Sequence, residues 1–348
     1  MNKLIKKEII LCCCLVVFPG LNAKKYEKQT ARIMCYNVEN FFDCVDDSTT
    51  NDNEFLAGGA RAWNFSKYEK KQANITRVIT ALGGWDAPML VGLCEVESER
   101  CLQDLTHRSG LKNLRYKFLH HESPDPRGID VALLYQTSMF KPIHNEAIRI
   151  RHPDNPGSRT RDVLFASGIL PTGDTLHVFV CHFPSRLGGE KESENKRKFV
   201  ASVVRARVDS LFSYNIKANI VIMGDFNDYP GNASINKVLQ ALPLPDSIAN
   251  GKLYNLMYKL HAEGKGSNKH LGEWGALDQI IVSGNLLNPT NTVSTRQETA
   301  HFFDADFLLE NDPVYMGKQP FRTYAGMKYK GGYSDHLPVY MDVTIERK

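Results

Sequence analysis

Apolar residues run along this chain in short dense stretches, separated by polar segments in which they recur at helical spacing. That pattern predicts alternating strands and helices. Residues 31–38, 89–96, 116–121, 129–135, 163–170, 176–182, 220–224, 277–283 and 339–345 are β-rich. The run at 89–96 is almost continuously apolar, as expected of a strand covered on both faces. Between them, 66–82 predicts a helix, since Tyr68, Ile75, Val78, Ile79 and Leu82 fall near a 3.6-residue period and Gly83-Gly84 follows. Residues 98–108 predict a short helix before Gly110. Residues 190–212 predict a longer one with Phe199, Val200, Val203, Val204 and Leu211 on one face, and 233–242 another. Segment 41–64 is polar and reads as a long loop. Only Pro171-Thr172-Gly173-Asp174 separates two of the strands, which predicts an antiparallel hairpin and therefore a mixed sheet. No repeat or flexible linker divides the chain, so one α/β domain is expected.

Composition removes several classes. At 348 residues, 42% hydrophobic and 24% charged, the chain can bury a large core and is neither a disordered tail nor a small disulfide scaffold. A net charge of +4 is too small to point to nucleic acid by itself. No apolar run has the 18 or so residues of a membrane span. Lys3, Lys6 and Lys7 precede an apolar stretch at 9–18 that ends in Pro19-Gly20-Leu21-Asn22-Ala23. This describes a secretory signal peptide at 1–23 and a mature domain at 24–348 in the periplasm or outside the cell; a buried strand or an uncleaved anchor is the alternative. Cys35, Cys94 and Cys181 lie in strand-like runs and read as small buried hydrophobes. Cys44 and Cys101 are expected nearer the surface, and whether they pair is left open. No cysteine or histidine spacing suggests zinc.

The candidate chemistry collects where strands end. Asn37 and Glu39 end the first strand, Glu95 and Glu97 the second, and Asp225 and Asn227 the strand at 220–224. Members of each pair are two apart, so strand alternation predicts that both point to one side. One such pair is ordinary turn chemistry; three strand ends of one design suggest a rigid polar rim. His182 and His336 each adjoin a strand end and further polar groups. Asp278 is an acid inside an apolar run and needs a partner, for which His336 would serve. Arg127, Arg159, Arg161, Arg186 and Arg322 are candidate phosphate contacts, Arg186 foremost because it follows His182 by four residues.

These blocks, from Tyr36-Asn37-Val38-Glu39-Asn40 through Gly92-Leu93-Cys94-Glu95-Val96-Glu97, Arg127-Gly128-Ile129-Asp130, His182-Phe183-Pro184-Ser185-Arg186 and Gly224-Asp225-Phe226-Asn227-Asp228 to Ser334-Asp335-His336-Leu337-Pro338, resemble the endonuclease/exonuclease/phosphatase superfamily with its deoxyribonuclease-I-like fold. The resemblance implies a four-layered α/β sandwich of two mixed β-sheets flanked by helices, and metal-dependent hydrolysis of a phosphate ester. It implies a metal near Asn37 and Glu95, supported by Glu39 and Asp335. It further implies that Asp225 activates water, that Asn227 contacts phosphate, and that His336 paired with Asp278 holds a phosphate oxygen or shares a proton. His182 would be a phosphate contact or general acid. Oxygen donors without thiolate favour Mg²⁺, then Mn²⁺ or Ca²⁺. Glu39 stands where many relatives have Asp, and Phe183 where tryptophan is common. The expectation is a monomeric, exported phosphodiesterase acting on a phosphate ester, nucleic acid foremost. A phosphomonoesterase or phospholipase is the alternative, and a non-catalytic binding protein the third reading.

Overall fold

Strand β1 (Glu27–Phe41) is the spine of one sheet. In this computed structural model the described residues are 27–153 and 157–347, so the expected signal peptide lies outside them. β1 pairs in parallel with β2 (Leu90–Val96) and antiparallel with the last strand, Val339–Arg347. Beyond β2 lie β4 (Asp130–Tyr135) and β3 (Lys117–His120); Val293–Thr295 and His301–Phe302 pair with the last strand. The second sheet runs β5 (Lys141–Ile148), β6 (Val163–Ile169), β7 (Thr175–His182), β8 (Asn219–Asp225), then Asp278–Ser283, Leu253–Asn255 and Ala241–Leu242. β7 and β8 are parallel, while β6 and β7 form the antiparallel hairpin. Both sheets are therefore mixed.

Strand alternation divides the apolar side chains among three cores. Ile33 and Cys35 of β1, Leu90 and Cys94 of β2, and Val221 and Met223 of β8 meet between the sheets. Met34, Tyr36, Val91 and Leu93 point outward under α1 (Phe65–Gly83) and α2 (Glu99–His107). Ile220 and Ile222 point outward under α3 (Glu190–Tyr214), against Val200, Val204 and Val208. The result is four layers: helices, sheet, sheet, helix. Each fully buried Val, Leu or Ile contributes roughly 1.5–3 kcal/mol, so the strand register is fixed from both faces at once. Helix starts follow their caps: Asn64 accepts from the Lys67 amide and Ser98 from that of Cys101.

Three expectations need correction. The helix at 233–242 is only a single π-type turn at Ser234–Val238, because Gln240 turns left-handed (φ 59°) and the chain extends into Ala241–Leu242. β5 was not visible as a strand: its face is largely exposed, so Lys141-Pro142-Ile143-His144-Asn145-Glu146 carries no alternating apolar signal. Cys101 is completely buried, on the α2 face that packs against β1, and both it and Cys44 are free thiols.

Gly224 sets how closely β7 and β8 approach. Its φ is +152°, and a Cβ there would lie 1.9 Å from the Cys181 carbonyl oxygen. Gly224→Ala should lower the urea unfolding midpoint by an amount worth about 1–3 kcal/mol. An unchanged midpoint would show that the two strands can part without cost.

Candidate active site

The parallel pairs β1–β2 and β7–β8 end on the same rim, and each end is bent by irregular backbone. Register slips between Asn37 and Phe41 of β1, and between Cys94 and Val96 of β2. Glu39 (φ 53°), Asn40 (φ 56°), Glu95 (φ 65°) and Asn227 (φ 50°) are all left-handed. Such residues are strained and redirect their side chains. The expected two-residue alternation therefore fails at two of the three strand ends. Asn37 turns to the second sheet, its Nδ2 donating to Asp225 Oδ2 at 3.0 Å. Glu39 turns away, accepting from the Thr323 amide at 2.6 Å and from Arg322 at 3.2 Å. Glu95 accepts from the Asn40 amide at 2.8 Å and faces His182, while Glu97 caps the Asp43 amide instead.

From the second sheet, strand register places His182 beside Asp225, and Asp278 opposite it on the other side. Asp225 Oδ2 lies 3.6 Å from His182 Nε2 and 4.0 Å from His336 Nε2. Its Oδ1 accepts from the Asn227 amide at 2.9 Å. His336 Nδ1 sits 2.5 Å from Asp278 Oδ2, the partner that the buried acid required. Glu95 Oε1 is 3.9 Å from His182 Nε2, so one imidazole nitrogen separates the carboxylates of the two sheets. The loop carrying His336 is stapled down: Ser334 Oγ donates to the Asn37 carbonyl at 2.7 Å and accepts from the His336 amide at 3.0 Å. Asn37, Glu95, Asp225, Asn227, Asp278, His182 and His336 are thus linked in one cluster.

The charges of their neighbours separate two histidines that are both buried. Burial lowers the pKa of His336, but the Asp278 and Asp225 carboxylates outweigh it and hold the ring well above the usual range, as an imidazolium. His182 is driven well below that range by burial first, then by Arg161, Arg127 and His336. It is therefore neutral. Burial pushes Asp225 up to about 6, although the charge of His336 pulls it back. Groups whose environments drive their titrations apart in this way are suited to different roles.

The remaining predicted residues stand behind this rim. Asp335 and Glu39 are bridged by Arg322, whose Nη2 is 3.0 Å from Asp335 Oδ2 and 3.2 Å from Glu39 Oε1. Under them, the fully buried Lys71 donates to Thr323 Oγ1 and to the Tyr333 carbonyl, and burial lowers its pKa to about 8. Lys71 escaped the sequence reading, though it falls on the apolar stripe between Tyr68 and Ile75. Arg186 is engaged by protein: it donates to the Asn227 carbonyl at 2.7 Å, to Glu190 and Asn232, and stacks on Tyr229. It shapes the Asn227 turn. Arg161, by contrast, is buried between Asp125 and the Phe183 carbonyl with its Nε lacking a partner among the described residues.

The Endonuclease/Exonuclease/phosphatase family profile matches residues 32–345. The chain belongs to that family. The reaction class that goes with membership is metal-dependent hydrolysis of phosphate esters. No curated sequence matches the chain. Solved structures share its fold at low identity. An endonuclease/exonuclease/phosphatase family protein from Bacteroides thetaiotaomicron is 15% identical at TM-score 0.55, over 92% of this chain and 99% of that one. The human Nocturnin catalytic domain with bound sulfate is 16% identical at 0.54, over 91% and 97%. D. rerio TDP2 complexed with single-strand DNA product is 16% identical at 0.53, over 90% and 98%.

The family's divalent cation suits the donors present. Glu95 offers a carboxylate and Asn37 an amide oxygen that also accepts from the Glu39 amide at 3.0 Å, and donor atoms of Asp225, Asp278 and His336 lie within 4.8 Å of one another. No thiolate competes, because Cys94 and Cys181 are buried in the apolar cores. The carboxylate and amide oxygens of Glu95 and Asn37 suit a hard ion, whereas the protonated His336 ring is not a ligand.

If Asp225 is the base that the resemblance implies, kcat/KM should fall about tenfold per pH unit below about pH 6, where its carboxyl becomes protonated. A pH–rate profile flat down to about pH 4 would remove Asp225 as the base.

Proposed function

We propose that this chain is an exported, divalent-metal-dependent phosphodiesterase that cleaves nucleic acid. In this reading a divalent ion held by Glu95 and Asn37, with the Glu39–Arg322–Asp335 layer fixing that rim, would neutralise charge on the phosphoryl and leaving oxygens. Asp225 orients a water and accepts its proton at Oδ2. The Asn37 and Asn227 amides hold that carboxylate in place, and Asn227 also faces the reacting phosphate. The His336 imidazolium, fixed by Asp278, meets a phosphate oxygen with full positive charge. His182, neutral, donates an N–H to the phosphate from the other side, a role that fits its lowered pKa better than general acid does. Phosphoryl transfer depends mainly on such positioning and charge neutralisation.

The observation that carries the nucleic-acid reading is a basic recess beside His182. Arg159 and Lys196, with Pro184, Ser185 and an Arg161 that is already paired with Asp125 at 3.0 Å, line a cavity of about 220 Å³. A second phosphate of a polyanionic strand would find guanidinium groups there, whereas a monoester has nothing to place in it. The TDP2 relative that holds single-strand DNA product is in keeping with this. A different feature favours the phospholipid-headgroup reading: Leu271, Val314 and Met316 project into solvent, and Lys269, paired with Asp312 at 2.8 Å, joins the hairpins that carry them. Among the described residues no helix is long and apolar enough to cross a membrane.

Purified mature protein should hydrolyse single-stranded DNA with Mg²⁺ or Mn²⁺ and lose that activity in EDTA. Asp225→Asn and His336→Gln should each reduce it by about 10²–10⁴-fold with an unchanged circular dichroism spectrum. Release of phosphocholine from vesicles, with DNA left intact, would overturn the nuclease reading. Mass spectrometry of the exported protein should find Lys24 as its first residue.

A further inference from the structure

Beneath the Asn227 turn runs a polar network that is almost closed to water. Its centre is Asp228, which is 1% exposed. Asp228 Oδ1 forms an ion pair with Arg197 Nε at 2.8 Å and a looser one with Arg186 Nη2 at 3.5 Å. Its Oδ2 accepts from Ser234 Oγ at 2.6 Å, and its carbonyl accepts from Gln279 Nε2 at 2.6 Å. Gln279 follows Asp278 directly, and its Oε1 accepts from Asn255 Nδ2 at 2.6 Å. Arg197 belongs to α3 and spreads its fork over the start of that helix, donating to Ser193 Oγ at 2.6 Å and to the Glu190 carbonyl at 2.8 Å. Arg197, Ser234, Gln279 and Asn255 are completely buried. Asp228 therefore joins three pieces of the second layer: α3, the turn after β8 and the strand that begins at Asp278.

A buried ion pair gains little stability over apolar side chains of similar volume. What it adds is direction. Asn227 is left-handed (φ 50°), a conformation that persists only where its surroundings over-determine it. Its amide is bound to Asp225 Oδ1 at 2.9 Å, its side chain donates to the Phe183 carbonyl at 3.0 Å, and its carbonyl accepts from Arg186 at 2.7 Å. The next residue is then pinned at both carboxylate oxygens and at its carbonyl. We propose that Asp228 is a positioning residue for the reaction: tied to α3 by Arg197 and to the Asp278 strand by Gln279, it fixes the turn that aims Asp225 and Asn227. The proposal rests on the reading of Asp225 as base and Asn227 as phosphate contact, and on no particular ester. A displacement of about 1 Å in reacting groups costs on the order of 10²-fold in rate, so a loosened turn shows in turnover before it shows in binding.

The test combines Arg197→Met with Asp228→Asn in the mature protein, which removes both charges, strands neither, and leaves Ser234 an acceptor. With Mn²⁺ and whichever of bis(p-nitrophenyl) phosphate and single-stranded DNA the wild type cleaves, kcat should fall about 10- to 100-fold. KM and the half-saturating Mn²⁺ concentration should stay within about threefold. The thermal midpoint should stay within about 5 °C, while hydrogen exchange quickens at residues 225–232 and not elsewhere. A folded double variant with wild-type kcat would overturn the proposal. So would a loss of kcat that comes with a collapsed thermal midpoint and exchange quickened throughout, since that marks a merely structural role. Should the double variant not fold, Ser234→Ala, which removes one donor to Asp228, decides: kcat down about threefold with local quickening supports the proposal, and neither change overturns it. Asp225→Asn separates this proposal from the reading beneath it. If Asp225→Asn is inactive while the double variant is not, the role of Asp228 alone fails; if Asp225→Asn keeps the wild-type rate, both fail.

Discussion

Two carboxylates, Asp225 and Asp278, face one another across paired strands at a place almost closed to water, and one imidazolium, His336, lies against both. Most of the site geometry follows from that constraint. Two bare charges so placed would drive one another toward protonation; the positive ring beside them opposes that rise at Asp225. The ring arrives from a loop far along the chain, and Ser334 pins that loop to the Asn37 carbonyl of β1. The same β1 residue then reaches back with its side chain to Asp225. The two sheets are thus joined at the rim by hydrogen bonds, as they are joined beneath it by apolar contact. A buried ion cluster is a weak source of stability, so its physical effect here lies in holding one carboxylate in one orientation.

Around this centre, charge is arranged in successive layers. The rim carries Glu95, Asp225 and the amides; behind it, Arg322 bridges Glu39 and Asp335, and Lys71 lies deeper still with hydroxyl and carbonyl partners. A cation placed behind acids that face an incoming metal lowers their mutual repulsion without occupying the open position. Supporting groups of this sort orient metal-facing ligands and tune their charge. Left-handed backbone at Glu39, Asn40, Glu95 and Asn227 adds strain at the same rim, and the three apolar cores below supply the rigidity that holds it.

In the proposed reading, the reacting rim and the surfaces that choose the substrate lie in separate parts of the molecule. The rim is built from strand ends whose positions the sheets dictate. The surfaces that would meet the rest of a substrate are the basic recess near Arg161 and the apolar hairpin tips near Leu271 and Met316. One framework can therefore serve different phosphate esters through changes in loops alone.

Much of this protein was legible in its sequence because strand and helix patterns are local. Apolar runs located β1, β2, β7 and β8, and a 3.6-residue period located α1 and α3, because each element must bury a face whatever its neighbours are. The polar strand ends and the two histidine blocks marked the rim, and the lone acid Asp278 called for a partner that proved to be His336. What the sequence could not carry was direction. Asn37 and Glu39 part company, and Glu97 leaves Glu95, because bulges and left-handed residues break the alternation on which the reading relied. Lys71 and Arg322 acquired their places, and Arg186 its brace on the Asn227 turn, only through contacts between segments far apart in the chain. Those contacts come from the packing of two sheets against each other, which the order of residues along one strand does not contain.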